Sequence, residues 1–189
     1  MKCFIGIDLA VRKGKCCAIA SLRDSRIAIK CSFSWEETIQ CLEKLVNGCD
    51  YCIAAIDAPL SLGPSKGFRD VDRELISKGF RVLPPSFPGM RRLTEKAIEL
   101  AQWLRALGCT VVETHPRSAL RNSGCLNVGA ALSRLGLPRV NIAGELSKWS
   151  KDLEDALVAL CVAICVDRGC VEAVTASDGE IVLLSRICG

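Results

Sequence analysis

The chain is poor in the residues that usually announce a ligand. It has one histidine, one tyrosine, three tryptophans and five phenylalanines in 189 residues, and they are scattered. No base-stacking platform is visible in such a distribution. The lone histidine, His115, argues against a structural zinc site, which takes four Cys or His ligands. The only Cys-x-x-Cys, Cys49 and Cys52, supplies half of such a set. Long apolar runs are missing too. The longest candidate, ALVALCVAICV at 156–166, has 11 residues and follows Asp152, Glu154 and Asp155, whereas a helical membrane span takes about 20. The opening MKCFIGIDLAV meets an aspartate at position 8, so it lacks the apolar centre of a signal peptide, and a cytoplasmic location is expected.

Amides are scarce as well, with four asparagines and two glutamines, the depletion of thermolabile side chains expected in a thermophile. Cysteine, by contrast, is abundant at 13 residues. Buried thiols acting as small hydrophobes are one reading, suggested by Cys161 and Cys165 inside the apolar run. Disulfides are the other, being rare inside cells except in hyperthermophiles. At least one intramolecular disulfide is expected. It should not join Cys161 to Cys165, because an i,i+4 pair on a helix does not present facing Cβ atoms.

Half the residues are hydrophobic and 24% are charged, an ordinary globular balance, and the length suits one domain over 1–189. A net charge of +4 permits a polyanionic partner without demanding one.

Along the chain, CFIGID (3–8), KCCAIASL (15–22) and RIAIKCSF (26–33) read as an antiparallel meander. SWEETIQCLEKLVNG opens with Ser34 three residues before Glu37, the pattern of a helix-capping box. CIAAID (52–57) is a continuous apolar run of strand length, as in a strand covered on both faces. A short helix within 68–79 follows, then a proline-rich loop over 82–89, an amphipathic helix over 90–108 and a strand at 109–113. Short helical pieces are expected in 118–148, a helix over 152–168 and a terminal hairpin turning at Ser177, Asp178 and Gly179. The order predicts an α/β fold with a mixed sheet and helices on both faces. Ligands gather at the carboxyl ends of the crossover strands in such sheets.

Three of those strands end in an acid: Asp8, Asp57 and Glu113. The late helix adds Asp152 and Asp155, three apart and so on one face. Singly, each has an ordinary explanation, such as an Asx turn at Asp57 ahead of Pro59 or a favourable helix-dipole position for Asp152. As a group they repel, and desolvation costs several kcal/mol per ion unless a cation compensates. Magnesium or manganese does so with oxygen ligands alone. That donor set points to metal-dependent phosphodiester hydrolysis.

The stretches GIDLA, AIDAPLSLG, RDVDRELISKGFRVLPPSFPGMRRL, VVETHPRSAL and DLEDALVAL together resemble, in order and over nearly the whole chain, a group of predicted RNase H-like nucleases, the family of unknown function numbered 429. The resemblance implies an RNase H-like mixed five-stranded sheet, here followed by the C-terminal hairpin. It also implies metal ligands at Asp8, Asp57 and Asp155, with Asp152 matching an extra helix acid of RuvC-type resolvases. Glu113 belongs to the family's ETxP motif and is taken with the catalytic acids. The chain departs from the family pattern at His115, where an aromatic is frequent, and at Glu180, where a tryptophan is.

Basic residues follow each acid: Arg12, Lys13 and Lys15 after Asp8, Arg69 and Arg73 after Asp57, and Arg117 and Arg121 after Glu113. They are expected on the rim of the site as phosphate contacts for DNA or RNA. His115 is either a proton shuttle or a hydrogen-bonded structural histidine. An ATPase of the actin and sugar-kinase type also begins with GID, but the loop here reads LAVRKGK and carries no Gly/Thr-rich phosphate cradle. The alternative left open is a non-catalytic nucleic-acid or nucleotide-binding module on the same fold.

Overall fold

The structure, a computed structural model, describes residues 1–12, 14–63, 67–140, 148 and 150–189. The elements run β1 (Lys2–Asp8), β2 (Cys17–Arg23), β3 (Arg26–Ser32), α1 (Trp35–Val46), β4 (Tyr51–Asp57), α2 (Asp70–Ser77), α3 (Pro88–Ala106), β5 (Cys109–Thr114), α4 (Pro116–Asn122), α5 (Val128–Arg134), α6 (Ser150–Arg168), β6 (Val171–Ala176) and β7 (Gly179–Leu184). They form an α/β fold around one mixed sheet of order β3-β2-β1-β4-β5-β7-β6. β1, β4, β5 and β7 run parallel, and the outer strands are antiparallel to their neighbours.

The sheet has seven strands among the described residues, because the C-terminal hairpin docks on it. β7 lies beside β5 with Glu113 opposite Ile181, and Thr114 Oγ1 donates to the Val182 carbonyl. The apolar run of β7 explains the docking: its last four residues are buried, as a strand in a sheet's interior should be. The exposed edges fall instead to β3 and β6, which carry Arg26, Lys30 and Glu172.

Side chains alternate across the central strands. Ile5, Ile7, Ala54 and Ile56 face α1 and α3, whereas Phe4, Ala18, Ala20, Ile53 and Ala55 face α2, α4, α5 and α6. α6 is buried from Leu153 to Cys165 with few gaps, so it is apolar nearly all round, as a central helix is. Gly6 lets it settle onto β1: a Cβ there would run into the backbone of Ala156 and Leu160. Two helices begin earlier than the sequence suggested, α3 at Pro88 and α4 at Pro116. Proline is tolerated at the first helical position, where its missing N–H has no partner to lose.

Ten of the 13 cysteines are paired, as Cys3–Cys49, Cys16–Cys31, Cys52–Cys109, Cys125–Cys188 and Cys165–Cys170. Cys17, Cys41 and Cys161 are free. Cys49 and Cys52 therefore belong to different bridges, and Cys161 does not pair with Cys165. Cys3, Cys52 and Cys109 stand at the starts of β1, β4 and β5, so two bridges clamp the sheet at the end opposite the acids.

Candidate functional site

Asp8 and Asp57 are the last residues of β1 and β4, and the register Cys3↔Cys52 to Ile7↔Ile56 brings them side by side as Asp8↔Asp57. Alternation from Gly6 and Ala55 turns both toward α6. There the first turns of that helix bring Asp155 to bear: its charge, with burial, raises the pKa of each. Asp8 is pushed up to about 8, first by desolvation and then by Asp155 and Asp152. Asp57 is held well above the usual carboxylate range by burial, Asp8, Asp155 and Glu113. Asp155 is raised by burial, against the pull of Lys151 and Arg117. Neither Asp8 nor Asp57 makes a hydrogen bond or ion pair among the described residues, so no Asx turn occupies Asp57.

Glu113, expected among the catalytic acids, lines the same cavity as Asp8 and Asp57 and its charge reaches Asp57, but its carboxylate is bonded to other partners. Asp57 is opposite Thr114 on β5, and Glu113 is opposite Ile56. One residue of offset turns its side chain away from theirs at the strand end, toward the start of α2 and the loop after Asp57. There Arg69 grips it with a forked pair of bonds, Nη1 to Oε2 at 2.9 Å and Nη2 to Oε1 at 2.5 Å, and Leu60 N donates to Oε2 at 2.7 Å. Asp72 accepts from Arg69 Nε and Nη2 at 3.1 and 2.7 Å, and Ser61 Oγ from Nη1. Arg69 is only 1% exposed. The expected phosphate contact is instead a buried clamp joining α2, β5 and the loop after Asp57. Burial lowers its pKa, yet the bonds to Glu113 and Asp72 raise it overall, so it stays charged. Gly63, with φ of 64°, passes behind it where a Cβ would strike the Arg69 side chain. Asp178, from the β6–β7 turn, caps the same helix by accepting from Asp70 N and Val71 N.

The other basic residues divide. Arg73 is exposed on α2 and paired with Asp70 at 2.8 Å. Arg121 donates to the Gly79 carbonyl and lies over the Phe80 ring. Arg117 is exposed, and its charge reaches Asp155 and His115. Lys15 lines the cavity beside Asp8, and Lys13 lies outside the described residues. Lys151 escaped the sequence reading, although its charge reaches Asp8, Asp57 and Asp155 alike. The readable signal was its place four residues before Asp155 on the same helix. His115 shares a 2.6 Å bond between Nδ1 and Ser118 Oγ. Burial and Arg117 lower its pKa, which favours the neutral ring.

A cavity of about 220 Å³ holds Asp8, Asp57, Glu113 and His115 on its walls. A second, of about 510 Å³, adjoins it through Asp8, Leu9, Leu83, Met90 and Leu93, and takes in Asp152 and Arg12. In donor chemistry, Asp8, Asp57 and Asp155 suit a hard divalent cation, and their raised pKa values mark carboxyls whose ionised form burial and one another's charge disfavour. Among the described residues, however, no three His, Cys, Asp or Glu side chains are gathered closely enough to hold an ion. A cation held by these three would need side-chain rotation or a closer approach of α6. No helix among the described residues is long and apolar enough to cross a membrane. Compared with protein-family models, curated proteins and solved structures, the chain gives no match.

Proposed function

We propose that the chain is a magnesium- or manganese-dependent nuclease, hydrolysing phosphodiester bonds in DNA or RNA. The observation that carries this reading is the pairing of Asp8 with Asp57, two half-buried carboxylates side by side with no bonded counter-charge. A fold pays such a penalty only where something outside the chain relieves it. The reading also draws on the RNase H-like resemblance, which implies acids on the first strand, at the end of the fourth and on a late helix. In this view β3-β2-β1-β4-β5 is the five-stranded RNase H-like core, and β6–β7 is an extension of it.

Asp8, Asp57 and Asp155 would hold the cation, with Asp152 beside them. A bound divalent ion supplies an activated water and neutralises charge on the phosphate. The remaining work falls to the chain. The carboxylates would hold a cation in their deprotonated form, the Arg69–Glu113 clamp fixes the loop behind Asp57, and Lys151 and Arg117 would offer cationic contacts to phosphate. His115, tied to Ser118, fits the structural role better than the shuttle.

A non-catalytic binding module is the second reading, favoured by the absence of a gathered metal set among the described residues. Labelled single-stranded, duplex and branched DNA and RNA, incubated with magnesium, manganese or chelator, separate the two. The nuclease cleaves one of these with metal only, and Asp57→Asn abolishes cleavage. Binding that is indifferent to metal, without cleavage, favours the module.

A further inference from the structure

We propose that the groove leading away from the carboxylates across the start of α3 is a track for a single strand of nucleic acid, with an unstacked base against Leu83 and Phe87 and its phosphates on Arg12 and Arg92. This substrate class rests on the nuclease reading, but the binding it predicts needs no metal.

Three of the scattered aromatics, Phe33, Trp35 and Phe87, lie along this groove. Leu83 and Phe87 sit on the proline-rich segment before α3, 60% and 52% exposed. With Met90 and Leu93 they make the apolar wall of the 510 Å³ cavity, whose other walls include Asp8 and Arg12. Two large apolar side chains held in water beside a carboxylate call for a ligand with both an apolar face and charge. The segment is stiff: Ser86 Oγ accepts from Gly67 N and donates to the Gly67 carbonyl, and Pro84, Pro85 and Pro88 restrict the backbone. The wall is therefore preorganised.

Beyond Arg12 the groove continues into a cavity of about 570 Å³ lined by Lys15, Arg92, Lys96, Phe33 and Trp35. Phe33 is 47% exposed. No carboxylate lines this part among the described residues. Lys96 is engaged with Glu99 and the Trp35 ring. Arg12 and Arg92 have no acidic partner among the described residues, whereas Arg73 and Arg91 each have one. Cations, an exposed aromatic and a recessed apolar slot in series match a polyanion with separable bases. In a duplex the base faces are stacked on one another, so only a base that has left the stack can enter the slot.

The test is fluorescence anisotropy in chelator with a 5′-labelled thymidine 15-mer and a 15-base-pair duplex. The single strand should bind at least about tenfold tighter. Phe87→Ala and Leu83→Ala should each weaken it about tenfold, the scale of one lost stacking contact, and leave duplex binding within about twofold. Arg12→Ala with Arg92→Ala should reduce the salt slope by about 1.4, two phosphate contacts on a single strand. Both apolar residues are exposed, so a far-ultraviolet melt confirms that the variants fold. Equal or tighter duplex binding, or single-strand affinity unchanged in both apolar variants, overturns the track. Metal-dependent cleavage without strand preference would reject the track and keep the nuclease; strand preference without cleavage would do the reverse.

Discussion

Asp8 and Asp57 are direct register partners at the ends of two parallel strands, and neither has a hydrogen-bonding or ionic partner among the described residues. Asp57 feels the charge of Asp8, and both feel that of Asp155.

Without metal, stability should fall as pH rises. Asp8 has an ordinary pKa of 3.8 in the unfolded chain and about 8 in the fold. Below the lower value both states are protonated and the contribution is intact. Between the two the unfolded chain releases its proton first, so stability declines until pH passes about 8. Asp57 acts in the same direction. Denaturant midpoints in chelator from pH 5 to 8 should show the decline, and Asp8→Asn should flatten it; a slope unchanged in the variant would contradict this placement.

The buried clamp should behave as architecture. Glu113→Gln weakens the forked grip on Arg69, and removing one partner of a buried ion pair costs about 3 kcal/mol. Urea unfolding should register that loss with or without metal, while the manganese-induced stabilisation keeps its wild-type size. A selective loss of the manganese effect would return Glu113 to the ligand set.

Gly6→Ala should act at a distance. A methyl group there has nowhere to go but into α6, so the helix must retreat from β1, at about 3 kcal/mol for forced overpacking. Asp155 retreats with it. The variant should lose stability and respond less to manganese; a melting temperature within a degree of wild type would show that the contact is looser than described.

Thiol titration under denaturing conditions, without reductant, should find three reactive thiols, from Cys17, Cys41 and Cys161, and all 13 after reduction. Reduction should also lower the melting temperature. The bridges spanning 46, 57 and 63 residues each contribute about 4 kcal/mol in the chain-entropy account. Thirteen thiols before reduction would refute the pairing.

Asp8 and Asp57 were legible because each ends an apolar run, and charge after such a run is visible in one dimension. Glu113 looked identical by that criterion. What separates it is parity: the pairing Cys52↔Cys109 sets β5 so that Thr114, one residue later, stands beside Asp57, and register between residues 57 apart in sequence leaves no local trace. Arg69 misled for a related reason, since an arginine in a polar stretch reads as solvated until its two acids are placed around it. The hairpin was legible as a hairpin, but its docking on β5 is a nonlocal choice. The bridges were expected as a class and not as pairs, because connectivity depends on the strand order.

Thermal melts of the wild type and Asp57→Asn, with manganese and with chelator, test the central claim most directly. Asparagine keeps the size and turn-forming ability of aspartate and removes one of the repelling charges. The variant in chelator should therefore melt at or above the wild-type temperature. Manganese should raise the wild-type melting temperature through binding linkage and the variant's much less. Equal manganese-induced shifts in the two proteins would contradict the assignment of Asp57 to a cation, whatever the cleavage assays show.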